Sequence, residues 1–259
     1  MIELADSHCH IDFPDYESSH GELIGNAREL GVRYLLNISV CLEDFPRVLA
    51  VAQSDPEVFA TVGVHPNYDS VEEPTADRLV ELAGSEKVVG IGETGLDYFR
   101  HHVEPADQLA RFRAHIEAAR RLDLPLIIHS RQAREDTVAM LREAADQGVA
   151  GVMHCFAEDW ETARAALDAG FYISFSGIVT FKNAPELREV ARKVPEDRML
   201  VETDAPYLAP EPYRGKTNQP GYVRYTAERV AEERGETLEA LAEATTENFL
   251  RLFRISRNG

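Results

Sequence analysis

The sequence predicts a single-domain (β/α)8 TIM barrel over residues 1–259, open to some distortion and with extra helices at its C-terminal end. Its 259 residues, 44% hydrophobic and 28% charged, are near the usual size of one such barrel. Eight short runs rich in β-branched and aromatic residues alternate with helical spacing, which implies parallel strands joined by right-handed crossovers. No linker or low-complexity stretch divides the chain, and the β/α alternation is its one internal repeat.

The first strand is Ile2 to His10, ending in His8-Cys9-His10. Strand side chains alternate, so both imidazoles leave one face within a few ångströms of each other. Helical spacing from Gly21 to Leu30 stops at Gly31, and Val32 to Val40 is the second strand. A helix from Phe45 to Gln53 leads to a third strand, Val58 to Val64, running into His65-Pro66. Thr75 to Ala83 is helical, and the strand Val88 to Gly92 runs into Glu93-Thr94-Gly95-Leu96-Asp97. Pro105 opens the clearest helix, with Leu109, Phe112, Ile116 and Leu122 on roughly one face. Pro125 to Ile128 is a fifth strand ending at His129-Ser130-Arg131. A helix from Ala133 to Gln147 precedes a sixth strand, Gly151 to Phe156, and one from Trp160 to Ala169 precedes a seventh, Phe171 to Ser176. Ala184 to Lys193 is helical, Met199 to Asp204 is the eighth strand, and Pro206 to Gly221 is a Pro- and Gly-rich loop. Helices Val223 to Arg234 and Thr237 to Phe253 close the chain.

Composition excludes several classes. With 45 acidic against 27 basic side chains the formal charge is -18. Such a surface repels polyanions at long range, so sequence-independent duplex binding through a basic face is not expected, and any nucleic acid is held locally. No apolar run approaches the roughly 20 residues that cross a bilayer, and the start lacks a signal-peptide pattern, so a cytoplasmic protein without membrane contact is expected. Cys9, Cys41 and Cys155, scattered through a long chain, do not make a disulfide framework. Cys9 and Cys155 each follow a candidate ligand on a strand, so they are expected to face the barrel wall.

The chemistry collects at strand ends. In such a barrel the active site forms at the C-terminal ends of the strands, where the sequence puts His8, His10, His65, Glu93, His129, His154 and Asp204. Random placement of the nine histidines would bring about half of one to these positions, against the five present. Imidazoles and carboxylates gathered at one mouth call for a cation between them. They are too many for one tetrahedral ion and suit two divalent ions sharing a bridge, which activate water and hold a phosphodiester. Imidazole-rich ligation tolerates zinc, manganese or nickel while magnesium prefers more oxygen, so the ion's identity stays open, with magnesium, manganese and zinc as the candidates.

The motifs Asp6-Ser7-His8-Cys9-His10, Gly63-Val64-His65-Pro66, Gly92-Glu93-Thr94-Gly95-Leu96-Asp97, Ile128-His129-Ser130-Arg131, His154-Cys155-Phe156, Glu202-Thr203-Asp204-Ala205-Pro206 and Arg214-Gly215-Lys216-Thr217-Asn218 come in order over nearly the whole chain. Together they resemble the TatD-type metal-dependent deoxyribonucleases of the amidohydrolase-like superfamily. The resemblance implies that His8, His10, Glu93 and Asp204 hold one metal and that Glu93 bridges to a second held by His129 and His154. It implies that Asp204 orients or deprotonates the attacking water and that His65 stands on the substrate side. The activity it implies is 3′ to 5′ exonuclease cleavage of single-stranded DNA or RNA. No obligate protein partner follows from it.

Glu202 and Asp97 are candidates for orienting the ligands. Arg131, Lys182, Arg214, Lys216 and Asn218 are candidate phosphate contacts. Phe99, Tyr98, Tyr207 and Tyr213 are read as loop packing rather than base platforms. The sequence departs from the family pattern at Ala157-Glu158-Asp159, at Gln219 and at His115, which stands where a Gln is usual. The same donor set would also serve an amidohydrolase or esterase acting on a small molecule or aminoacyl ester. A non-catalytic metal-binding protein on the same barrel is the third reading, opposed by the complete ligand set.

Overall fold

The computed structural model describes residues 2–69, 71–100 and 102–257. Eight parallel strands follow one another round a single sheet in sequence order. They are β1 (Leu4–Cys9), β2 (Val32–Asn37), β3 (Val58–Val62), β4 (Val88–Asp97), β5 (Leu126–Arg131), β6 (Gly151–Met153), β7 (Tyr172–Phe175) and β8 (Met199–Val201). Between them run α1 (His20–Glu29), α2 (Phe45–Gln53), α3 (Ala76–Leu82), α4 (Pro105–Leu122), α5 (Arg134–Asp146), α6 (Trp160–Asp168) and α7 (Pro185–Lys193); α8 (Val223–Arg234) and α9 (Leu238–Leu252) follow β8. The expected elements are all present. Most strands stop short of their expected C-terminal ends, because the chain leaves the ladder to carry the site, whereas β4 continues through Asp97 and β5 through Arg131.

The sheet closes through a seam of a different kind. Beyond β8 an isolated parallel bridge joins Cys9 to Ala205, and Asp204 N–H donates to His8 O at 2.9 Å while His10 N–H donates to Ala205 O at 2.8 Å. Below it the buried Asp6 carboxylate accepts from Thr203 N–H at 2.9 Å and from the Thr203 hydroxyl at 2.6 Å. These bonds replace a ladder and hold His8, His10 and Asp204 against each other.

Two bulges aim the site. Between Asp6 and Cys9, β1 has one more residue than the facing stretch Leu35 to Asn37 of β2. Between Ile91 and Thr94, β4 has one more than Leu126 to Ile128 of β5. Such an insertion re-aims the side chains around it. Ala5 accordingly packs in the barrel interior with Tyr34, Leu36 and Ile127, while Cys9, of the same parity, packs in the outer core between sheet and helices. At the second bulge Gly92 has φ +144°, and Gly95 has φ +127°, a conformation L-residues rarely adopt. A Cβ on Gly95 would also lie 2.0 Å from His129 O, so β4 and β5 approach closely only because this residue is glycine.

The interior cluster is plugged from below by Phe249 and Phe253 of α9 and its end, with Phe249 6.2 Å from the Tyr34 ring. On the outside, α4 turns a polar face to the site loops. Gln108 Oε1 accepts from Asp97 N–H at 2.8 Å, and the buried Arg111 guanidinium donates to His65 O at 2.7 Å and Tyr68 O at 3.0 Å. His115 Nε2 accepts from Val64 N–H at 3.0 Å, and its Nδ1 lies 2.8 Å from Arg111 O. Both nitrogens are therefore satisfied only in the neutral ring, and burial pushes the His115 pKa down to about 4.

An unfolded histidine titrates near 6.5, so the unfolded chain binds the proton first and this contribution is lost as pH falls from about 6.5 towards 4. Between pH 7 and pH 5 it amounts to roughly 2 kcal/mol. His115→Gln keeps an acceptor for Val64 N–H but does not titrate. Urea denaturation at the two pH values is expected to show the variant losing about 2 kcal/mol less than wild type. Equal losses would show that His115 does not set the acid limb.

Candidate metal centre and active site

Glu93 is the hub. Its amide N–H donates to Ser39 O at 2.9 Å, which fixes the backbone at the bulge. Its Oε1 faces His154 Nε2 at 2.9 Å, His129 Nδ1 at 3.3 Å and His65 Nε2 at 3.6 Å, and its Oε2 faces His8 Nε2 at 3.4 Å. Asp204 Oδ1 lies 3.6 Å from both His8 Nε2 and His10 Nε2. The His8 and His10 rings stand edge to face at 5.0 Å, and His8 stacks on His154 at 3.8 Å.

The second nitrogen of each ring sorts the histidines by role. His10 Nδ1 lies 3.2 Å from Ile38 O, so Nδ1 carries a proton and Nε2 is the nitrogen left facing Asp204. His154 Nδ1 is 3.3 Å from Glu202 Oε1, which also accepts Cys155 N–H at 2.7 Å, and this leaves Nε2 facing Glu93 Oε1 at 2.9 Å. His129 turns Nε2 to Asp97 Oδ2 at 3.4 Å, leaving Nδ1 towards Glu93. His65 is reversed. Its Nδ1 accepts Asn67 N–H at 3.1 Å, so the neutral ring carries its proton on Nε2 and points a donor, not a lone pair, at the cluster.

The buried groups demand positive charge. Burial alone would raise the Glu93 carboxyl, but the surrounding imidazoles of His154, His65 and His129 hold it well below the usual carboxylate range. Asp204 is likewise held low against its burial by His10, His8 and His154. His154 moves the opposite way: burial opposes its charge, yet Glu93 and Glu202 drive it well up. Burial dominates at His65 and pushes it down to about 3. Among the described residues, both nitrogens of the fully buried His8, and Glu202 Oε2, have no hydrogen-bond partner. Three donor trios, His8–His10–Asp204, His8–His154–Glu202 and His65–Glu93–His129, each bring their ligand atoms within 4.8 Å of one another. Unsatisfied imidazole and carboxylate donors at this spacing fit divalent cations.

Residues 5–254 match the model of the TatD-related DNases. The chain belongs to this family. It is 48% identical to the metal-dependent hydrolase YcfH of Escherichia coli K12, covering 97% of this chain and 96% of that one. It is 32% identical to the 3′-5′ ssDNA/RNA exonuclease TatD of Salmonella typhimurium, with 93% and 95% covered. The crystal structure of the TatD homologue YjjV of E. coli superposes with a TM-score of 0.90 at 28% identity over 98% of each chain.

In this TatD-family barrel the donor cluster forms the floor of a cavity of about 520 Å³. Arg131 lines it, with its guanidinium 4.0 Å above the Phe99 ring. Other candidate phosphate contacts lie elsewhere. Arg214 stacks on Phe181 at 3.7 Å and Lys216 lies 5.6 Å from the Tyr213 ring; these two and Lys182 are absent from the cavity wall. Asn218 is buried and spends its amide on the backbone, donating to Thr203 O at 2.9 Å and Tyr207 O at 2.6 Å. It braces the loop that carries Asp204. The expectation for Cys155 also changes: β6 ends at Met153, Cys155 has φ +43°, and the strand alternation no longer applies, so the thiol borders the cavity beside Ser176 Oγ. Among the aromatic residues, Tyr207 lines the cavity rather than packing away from it.

Sequence reasoning missed Arg100 and Tyr68 in the wall, and Asn67, which donates to Asp97 O at 3.0 Å. It quoted Asp6 and Thr203 without a role. Their signal was present, as a buried Asp in the first strand needs partners, but nothing local reveals that these lie 197 residues away.

Proposed function

We propose that the chain is one catalytic barrel and a divalent-metal-dependent 3′ to 5′ exonuclease acting on single-stranded DNA or RNA. The observation that carries this is the single Glu93 carboxylate facing His8 on one side and His129 and His154 on the other. One ion would be held by His8, His10, Glu93 and Asp204, the other by Glu93, His129 and His154, with magnesium, manganese or zinc as the candidate metals. Bound there, the ions would supply Lewis acidity for water activation and for charge on the phosphodiester.

The side chains do the rest. Asp204, whose carboxylate is the most exposed of those in the cluster, receives the proton of the attacking water. His65, neutral at working pH, offers Nε2–H to a phosphate oxygen. Asp97 and Glu202 hold the tautomers of His129 and His154. Arg131 supplies local charge that the chain as a whole lacks. The relative named as an ssDNA/RNA exonuclease supports the choice of substrate. We assign the cytoplasm on the three free thiols, Cys9, Cys41 and Cys155. No helix among the described residues is long and apolar enough to cross a membrane.

The test is digestion of 5′-labelled single-stranded DNA and RNA by metal-stripped protein, with Mg²⁺, Mn²⁺ or Zn²⁺ restored singly and Asp204→Asn as control. A ladder shortening from the 3′ end, dependent on metal and absent in the variant, is expected. Stoichiometric metal binding without cleavage of either strand overturns the nuclease assignment in favour of a small ester or amide substrate.

A further inference from the structure

Two large hydrophobic side chains stay exposed among the described residues, Phe99 at 49% and Tyr207 at 50%. Tyr207 lines the cavity, and Phe99 lies against Arg131, which also lines it. Arg131 covers one face of Phe99, whereas Tyr207 stands in the cavity wall three residues beyond Asp204. Behind it Phe13 meets the Tyr207 ring edge-on at 6.4 Å and stacks on His10 at 4.5 Å with 21° between the planes. An aromatic ledge therefore runs without a break from a candidate metal ligand to the rim.

The ledge stands on fixed backbone. Tyr207 N–H donates to Asp204 O at 2.9 Å, and Tyr207 O accepts the buried Asn218 amide. Among the described residues, Arg100 and Arg131 are the basic side chains in the wall besides the histidines. A half-exposed ring held in place in a cavity wall that also carries two guanidinium groups is the equipment for a flat heterocycle carrying a phosphate. Exposure of this kind is otherwise avoided in the chain, whose remaining aromatic side chains are buried or partly buried among the described residues.

We infer that Tyr207, backed by Phe13, is the stacking platform for the 3′-terminal nucleobase, with Arg100 and Arg131 on the adjoining backbone phosphates. This deepens the nuclease reading and rests on it. It also answers how a chain of charge -18 holds a polyanion. Long-range attraction is absent, so affinity comes from a short-range, sequence-tolerant contact to the one base next to the reacting phosphate.

The test is calorimetric binding of dAMP and of 2-deoxyribose 5-phosphate to the metal-loaded protein, which separates the base from the phosphate and needs no turnover. Wild type is expected to bind dAMP roughly tenfold more tightly. Tyr207→Ala should lose that preference while its affinity for deoxyribose 5-phosphate is unchanged, and Tyr207→Trp should keep it. Equal affinity of wild type for the two ligands overturns the inference. So does a preference that survives in Tyr207→Ala, or dAMP that fails to bind at millimolar concentration. Oligonucleotide cleavage is measured separately: its absence with an intact base preference sinks the nuclease reading and leaves the platform standing.

Discussion

Glu93→Ala is expected to lower turnover more than about 1,000-fold and to cut metal content, with the barrel still folded. The carboxylate lies within 3.6 Å of four histidines, so its loss removes the shared edge of both donor sets at once. The fold does not depend on it, because the seam is closed by Asp6, Thr203 and the His8–Asp204 and His10–Ala205 backbone bonds. Three readouts separate site from scaffold. Metal analysis should fall below two ions per chain. Circular dichroism should be unchanged. The melting temperature of wild type should rise on adding Mn²⁺, by about 2.7 kcal/mol of stability at a hundredfold excess over the dissociation constant, and that of the variant should respond far less. Near-normal turnover, or a variant that binds two ions, would sink the two-metal arrangement.

Most helices and all eight strands are legible in the sequence, because β-branched runs and 3.6-residue spacing are local properties. Pro105 marks the start of α4 and Gly235, at φ +68°, the end of α8. The gathering of His8, His10, His65, Glu93, His129, His154 and Asp204 is legible too, since a closed parallel barrel sends every strand end to one mouth. What decides the aim of those side chains is not local. Alternation from Ala5 would point Cys9 inwards, and only the mismatch of β1 with β2 restores His8 and His10 to the mouth. Cys155 escaped for the related reason that its strand ended two residues earlier. Arg214, Lys216 and Asn218 looked alike as polar loop residues, yet one stacks on Phe181, one lies by Tyr213 and one is buried under backbone carbonyls. Which way a loop folds back is set by contacts that composition does not encode. The polar face of α4 shows the same limit: Gln108, Arg111 and His115 have helical spacing, but they reach Asp97 at the end of β4 and His65 and Val64 on the loop after β3.

His65→Ala is expected to behave as the converse of Glu93→Ala: turnover falls about 100- to 1,000-fold while both ions stay bound. The distance alone does not show this, for His65 Nε2 is 3.6 Å from Glu93 Oε1, comparable with the 3.3 Å of the assigned ligand His129. The tautomer separates them. Asn67 N–H occupies His65 Nδ1, burial keeps the ring neutral, and the remaining nitrogen must then be a donor. Arg111 fixes the same loop through His65 O and Tyr68 O, so the N–H is aimed before substrate arrives and little reorganisation is needed in the transition state. A neutral imidazole is a poor store of a free proton but a good hydrogen-bond donor, which places its effect on a non-bridging phosphate oxygen. The defect should then be the same for an oligonucleotide and for a p-nitrophenyl ester of a nucleotide, whose leaving group needs no proton. A defect confined to the oligonucleotide would move the N–H to the leaving oxygen, and loss of one ion in His65→Ala would make His65 a ligand.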